Sequence, residues 1–386
     1  MKTTSLPPPV WVSQPSELKN LVDELRTQPR AAVDTESNSL HAYREQVCLI
    51  QISTPQHDYL IDSVELTDLQ ALSPFFANPK TEKIFHAAEY DVICLHRDYG
   101  FRFNTLFDTV IAARILGHKV IGLGDLLAEY FNVEVNKQFQ KSNWGKRPLT
   151  SEQVDYARLD THYLIDLRDI LEKELREKNL LELAQEDFKR ACQPANGNGK
   201  TPRASWERIG GHQDLTPRQL SILNELCVCR EEIAEQLDRP VFKVISDELL
   251  LSMAQTMPDS AKGLEEAGLT KLQIDKFGSK FLKSIRTGRN AQSVVRTRSK
   301  RLNDTTLARL EKLKEWRKKE AAGMKVESDI ILPKPMLYAI AEQGPRDMEK
   351  LNNLMAESPW RFQHYGESIL KALESKAKTR PTPARP

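Results

Sequence analysis

Cysteine is scarce and scattered. The 386 residues hold five, Cys48, Cys94, Cys192, Cys227 and Cys229, and no two form a Cys-x-x-Cys pair. An odd, dispersed set argues against a disulfide framework, and no His/Cys cluster has the spacing of a zinc site. Long apolar runs are also missing, which argues against a bilayer-spanning helix. The start, Met1-Lys-Thr-Thr-Ser-Leu-Pro-Pro-Pro9, has one charged side chain and no apolar segment, so it does not read as a secretory signal. With 28% charged residues, these absences predict a soluble, cytoplasmic protein with free thiols and no membrane partner.

A strong net charge is missing too, but only for the chain taken whole. Residues 1–190 carry 22 Lys+Arg against 29 Asp+Glu (−7), and residues 191–386 carry 34 against 25 (+9). An acidic front and a basic back predict separate tasks, and the basic part suits a polyanion. The length allows two or three domains.

Arg30-Ala-Ala-Val-Asp-Thr-Glu-Ser-Asn38 is the stretch around which the front half is organised. Ala31–Val33 is the short apolar run of a buried strand, and Asp34 and Glu36 follow it. Residues i and i+2 of a strand share a face. Two neighbouring carboxylates are costly to bury unless a cation joins them. The preceding helix starts at Pro15, with Leu18, Leu21, Val22 and Leu25 on one stripe. Strands are expected at 47–52 and 57–62, joined by a turn at Thr54-Pro-Gln, then a helix over about 67–76 and a short strand at 83–86. Helices are expected over 87–96, from Asp108 as N-cap to Gly117, over about 124–131, and from the capping box Thr150-Ser-Glu-Gln153 to about Glu177. Strands first, then strands alternating with helices, predict an α/β domain: a mixed sheet flanked by helices.

Gln193-Pro-Ala-Asn-Gly-Asn-Gly-Lys-Thr-Pro202 marks a linker. Beyond it the pattern is helical and repeats at an offset of 87 residues. Leu223, Leu226, Arg230, Ala234, Leu250, Ala254 and Pro258 find Leu310, Leu313, Arg317, Ala321, Leu337, Ala341 and Pro345. One structural unit is therefore used twice. The second copy diverges: Lys334, between Pro333 and Pro335, stands where the first has Asp247. Packing or charge is its expected role. Between the copies, Arg286–Arg301 holds six basic residues and no acid, and the end of the chain from Lys376 is basic and Pro-rich. Both read as arms that meet phosphates or stay solvated. The expected units are residues 1–190, a linker 191–209, helical bundles 210–289 and 303–376, a connector 290–302 and a tail 377–386.

Two further acids share the opening pair's context. Asp91 follows Phe85-His-Ala-Ala88 just past a strand end. Asp160 closes Tyr156-Ala-Arg-Leu-Asp160, where Tyr156 and Asp160, at i and i+4, share one helix face. Phosphodiester hydrolysis must neutralise a phosphate and activate water near neutral pH, which paired divalent cations do. Hard ions such as Mg²⁺ or Mn²⁺ favour oxygen ligands. Four carboxylates suit two such ions.

Val33-Asp-Thr-Glu36, His86-Ala-Ala-Glu-Tyr-Asp91 and Tyr156-Ala-Arg-Leu-Asp160 resemble, in order, the three motifs of the four-carboxylate 3′→5′ exonucleases, in their tyrosine branch. Leu106-Phe-Asp-Thr-Val-Ile-Ala-Ala-Arg-Ile-Leu-Gly117 and Ser142-Asn-Trp-Gly-Lys-Arg-Pro-Leu-Thr150 look like ribonuclease D, and the repeats look like the C-terminal (HRDC) domain shared by ribonuclease D and RecQ helicases. The resemblance covers nearly the whole chain. It implies a ribonuclease H-like fold up to about residue 190, followed by two all-α bundles. It implies two divalent metal ions, with Asp34 bridging both, Glu36 and Asp160 completing the site of the one that activates water, and Asp91 holding the second partly through water. Tyr156 would hydrogen-bond the attacking water. The implied substrate is an RNA 3′ end, with transfer-RNA precursors the leading case and 5′-mononucleotides the product. A DNA exonuclease shares these motifs, since only a 2′-hydroxyl contact separates the two. A nuclease-fold binding module without catalysis is the reading from another class. His86 is expected to be structural and Asp108 a helix cap. Lys141, Lys146, Arg147 and Arg158 flank the third motif, where they would touch RNA phosphates or balance nearby acids. No obligate protein partner is evident, and a monomer is compatible with the sequence.

Overall fold

The computed structural model describes residues 6–193, 204–292, 294 and 302–375. Six strands form one mixed sheet: β1 Val10–Val12, β2 Arg30–Ser37, β3 Val47–Ser53, β4 Asp58–Asp62, β5 Glu82–Phe85 and β6 Leu106–Asp108. Their order is β1-β4-β3-β2-β5-β6. β2 pairs antiparallel with β3 and parallel with β5, so it sits centrally where strand direction changes. β1 and β6 have three residues each, too short for a periodicity to reveal.

Side-chain alternation assigns the two faces. Ala31, Val33, Ile50, Ile52, Ile61 and Phe85 pack with the helices Pro15–Leu25 and Glu89–Tyr99. Ala32, Ile84 and Phe107 face the helices Thr109–Leu116, Leu164–Glu177 and Leu181–Ala191. Leu49 and Leu60 meet Ala157 of the helix Ser151–His162. The sheet flanked by helices is therefore as the pattern predicted. Two details differ. The helix expected at 67–76 is a 3₁₀ turn, Gln70–Leu72, and a short helix, Ser73–Ala77. The helix expected to run from Thr150 to Glu177 is two, parted at Tyr163, whose φ −95°, ψ −1° departs from helical geometry.

The rest is helical, and the repeat is real. Helices Pro217–Leu237, Val241–Val244, Asp247–Thr256, Ala261–Glu266 and Lys271–Asn290 recur as Asp304–Met324, Ser328–Ile331, Lys334–Gln343, Met348–Leu354 and Pro359–Glu374. The matched arginines do the same work. Arg230 donates to the Ile245 carbonyl at 3.3 Å, and Arg317 to the Leu332 carbonyl at 2.9 Å. Only Arg230 also has an acid, Asp247 at 2.6 Å, because Lys334 replaces it in the second copy.

The copies dock differently. The first keeps its own core and meets the sheet domain through Tyr43 and Arg44, with Arg44 on Glu235 at 2.8 Å and the Tyr43 N–H on Asp238 at 3.1 Å. The second shares one continuous core with Phe107, Ile115, Leu183 and Phe188. Its Arg361, fully buried, pairs with Glu186 at 2.7 Å and Asp187 at 3.0 Å. Most of the basic connector and the tail from residue 376 lie outside the described residues, as does most of the expected linker.

Candidate active site

Asp34 and Glu36 lie near the C-terminal end of β2, on the face of Ala32, and the β2–β3 register shifts just beside them, between Glu36 and Ser37, where β3 carries one extra residue, Cys48. That face of β2 packs against the helix Ser151–His162, which brings Asp34 and Glu36 beside Asp160. That helix has a complete capping box, Thr150 with Gln153, which fixes where it starts and hence where Tyr156 and Asp160 point. Tyr156 packs among Trp144 (centroids 6.0 Å apart), Phe139 (6.1 Å) and Leu49. Its hydroxyl hydrogen-bonds the Asp160 carboxylate.

Carboxylate oxygens of Asp34, Glu36 and Asp160 lie within 4.8 Å of one another. Asp91, in the first turn of the helix Glu89–Tyr99, is nearby but outside that trio, and its Oδ1 accepts the Thr35 hydroxyl at 2.5 Å. Thr35 points to the opposite face of β2 from its acidic neighbours, so one strand addresses both sides. Asp108 steadies the turn before Asp91. Its buried carboxylate accepts the N–H groups of Ala87 (3.2 Å) and Ala88 (2.8 Å) as well as Val110 (2.8 Å) and Ile111 (3.2 Å). It is thus the cap expected and also a clamp on the second motif, where Ala87 takes a left-handed φ of +66°. His86 meets the Thr109 hydroxyl at 2.8 Å, and burial lowers its pKa to about 4, so it is neutral.

The electrostatics of the cluster follow from crowding. Burial first, then Asp91, Asp160 and Glu36, push Asp34 well above the usual carboxylate range. Burial, then Asp160 and Asp91, raise Glu36 to about 9. Burial brings Asp91 to about 7 against the Thr35 hydrogen bond, and Asp160 to about 7 against that of Tyr156. The Tyr156 hydroxyl is pushed far above its ordinary value of 10.0 by burial and by Asp160, Glu36 and Asp34, so it remains a donor. Like charges that raise one another in this way are what a divalent cation relieves. An all-oxygen donor set suits a hard ion, so the residues present fit the metal that the motifs imply.

The four basic side chains expected near RNA divide. Lys141 and Lys146 are exposed. Arg147 is taken up by Asp62, with Nη2 to Oδ1 at 2.7 Å and Nε to Oδ2 at 2.5 Å, and by the carbonyls of Cys48 and Trp144, both at 2.7 Å. Arg158 is buried on the Pro7 carbonyl and lies 3.6 Å from Asp155. Both arginines are thus engaged by partners inside the fold. Sequence reasoning did not single out Thr35 or the anchoring role of Arg147. The one available signal was Thr35's place between two acids.

Comparison with known proteins shows what the two parts of the chain resemble. Residues 9–176 match the 3′-5′ exonuclease domain family, and residues 219–285 and 306–373 match the HRDC domain. The N-terminal domain is therefore similar to 3′-5′ exonuclease domains, and two stretches that match the HRDC domain follow it. Among its relatives is Protein RRP6-like 2 of Arabidopsis thaliana, 34% identical over 65% of this chain and 30% of that protein. Another is the ribonuclease D of Desulfotalea psychrophila, 28% identical over 73% of this chain and 76% of that protein. The crystal structure of Escherichia coli RNase D superposes with a TM-score of 0.69 at 23% identity, covering 95% of this chain and 98% of that one, a likeness of fold. The chain spans about a third of the length of the RRP6-type relatives it matches. Exonucleases of this kind depend on divalent metal, and an acidic cluster is present here. No described helix is long and apolar enough to cross a membrane.

Proposed function

We propose that this protein is a 3′→5′ exoribonuclease that removes 5′-mononucleotides one at a time from RNA 3′ ends, with transfer-RNA 3′ maturation as its leading task. The observation that carries the reading is the convergence of Asp34, Glu36 and Asp160 within 4.8 Å, with Asp91 tied to the same strand. The similarity to ribonuclease D and to RRP6-type exonucleases supports the choice of RNA.

Two divalent cations, Mg²⁺ or Mn²⁺, are the proposed cofactors. Asp34, Glu36 and Asp160 would hold one, and Asp34 with Asp91 the other. When bound, they neutralise phosphate charge and acidify water. The chain's own residues do the rest. Tyr156 keeps its proton, as its raised pKa requires, and so orients an attacking water by a hydrogen bond rather than acting as its base. Its hydrogen bond to Asp160 fixes the hydroxyl's direction. Asp108 and Thr35 hold the turn and carboxylate of the second motif in place. Lys141 and Lys146 are proposed to meet RNA phosphates as exposed charges; Arg147 and Arg158 hold the scaffold instead.

Digestion of a 5′-labelled RNA with a single-stranded 3′ end, beside a matched DNA, tests this. The expected result is a ladder shortening from the 3′ end, 5′-mononucleotide product, and loss of cleavage with a chelator or in Asp34→Asn. That variant should lose on the order of 10²–10³-fold or more in single-turnover rate, the scale of removing one transition-state electrostatic contact. Faster trimming of the DNA would move the substrate to DNA. Undiminished trimming by Asp34→Asn would contradict the catalytic assignment.

A further inference from the structure

Gln51 is completely buried, and neither atom of its carboxamide has a hydrogen-bond partner among the described residues. Buried polar side chains are nearly always paired, and an unpaired one costs about 1–3 kcal/mol. Its neighbours show how unusual this is. On the same face of β3, Leu49 is apolar and packs in the Tyr156 cluster. Ser53 on that face is satisfied by Asp58 and Thr161, both at 2.7 Å. A leucine at 51 would fit the core without that cost. The sequence instead places an amide there.

Its position suggests the reason. In the β2–β3 register Gln51 stands directly opposite Asp34. Directly opposed residues point to the same face with Cβ atoms about 4.5–5.5 Å apart. Asp34 is one of the three acids whose carboxylate oxygens lie within 4.8 Å of one another. An unused buried donor thus lies across the ladder from a carboxylate of the acidic cluster. Ligating carboxylates are in turn held by outer hydrogen bonds that orient them.

We propose that Gln51 is a positioning residue for the metal site: its carboxamide orients the Asp34 carboxylate when that group holds a divalent cation. The proposal rests on the reading of Asp34 as a ligand. It assigns Gln51 no contact with substrate and no part in the chemical step.

The test is Mn²⁺ and Mg²⁺ titration calorimetry, with thermal unfolding in chelator and in saturating metal, on the full chain. Wild type, Gln51→Leu and Gln51→Met are compared. Both variants should unfold in chelator at the wild-type temperature or above, because an unpaired amide has gone. Both should bind Mn²⁺ about 10–100-fold more weakly, the usual effect of losing an outer-shell partner, and gain less thermal stability from metal. Wild-type affinity in both variants, with raised unfolding temperatures in chelator and metal alike, would show Gln51 to be a packing imperfection and overturn the proposal alone. Failure of wild type to bind either cation would overturn the reading of the site along with it. The methionine variant retains the side chain's length should leucine disturb the strand.

Discussion

The four acids work against the fold until something neutralises them. Each carries a pKa raised by burial and by its neighbours, so the folded protein holds more protons than the unfolded chain. For Asp91 and Asp160 this applies between their ordinary value of 3.8 and about 7, and for Glu36 between 4.5 and about 9. Where the native state binds the excess protons, stability falls as pH rises. Stability tied to these groups is thus fully present below about pH 4 and is lost progressively up to about pH 9. In chelator, the unfolding temperature should fall from pH 5 to pH 9 more steeply than in Asp91→Asn, which removes one of the charges. Saturating Mg²⁺ should raise it, and more at pH 8.5 than at pH 5.5, since ligands must be deprotonated to bind. Differential scanning fluorimetry across that range reads both slopes. An equal metal effect at both pH values would contradict the assignment of these acids as ligands.

At the scale of elements, the site depends on three pieces brought to one end of a sheet. β2 supplies Asp34 and Glu36, the first turn of the helix Glu89–Tyr99 supplies Asp91, and the helix Ser151–His162 supplies Tyr156 and Asp160. The loop before that helix is anchored by Arg147 on Asp62, whose side chain is 1% exposed. Removing one partner of a buried pair leaves the other charge unpaired, at about 3–5 kcal/mol. Arg147→Ala should therefore lose stability on that scale in denaturant unfolding. Had Arg147 been an RNA contact, the same variant would raise KM and leave stability alone. Lysine should rescue little, because it cannot reproduce the two-pronged bond.

The carboxylates, Tyr156, the Asp108 cap and the capping box at Thr150 were legible in the sequence, because spacing along a strand or helix fixes which side chains share a face. The fates of Arg147 and Arg158 were not. A basic residue near a motif looks the same in sequence whether its partner is a phosphate or an acid 85 residues away, as Asp62 is from Arg147. The break at Tyr163 was hidden for a similar reason, since no Gly or Pro marks it. Gln51 was silent, and Thr35 was marked only by its place between two acids, because their partners lie on other elements.

The whole molecule joins two unlike appendages to one nuclease domain. The second HRDC domain shares the nuclease core, and its Arg361 is sealed between Glu186 and Asp187. The divergence at Lys334 fits this packing role. The first HRDC domain keeps its own core and meets the loop after β2 through a pair whose side chains are 83% and 55% exposed, a contact worth less than about 1 kcal/mol. Arg361→Ala should cost about 3–5 kcal/mol in denaturant unfolding, and Arg44→Ala almost nothing. Truncation after residue 193 should expose Phe107, Leu183 and Phe188 and destabilise the nuclease, so it is unsuited to separating binding from chemistry. Equal, small losses in both point variants would contradict this asymmetry.

The central claim is that acids distant in sequence form one cage for paired cations. Anomalous scattering from crystals of the full chain soaked in Mn²⁺ tests it most directly. The account predicts two peaks, one among Asp34, Glu36 and Asp160 and one between Asp34 and Asp91. Crystals that show no ion at these carboxylates, or ions bound only elsewhere on the molecule, would contradict it.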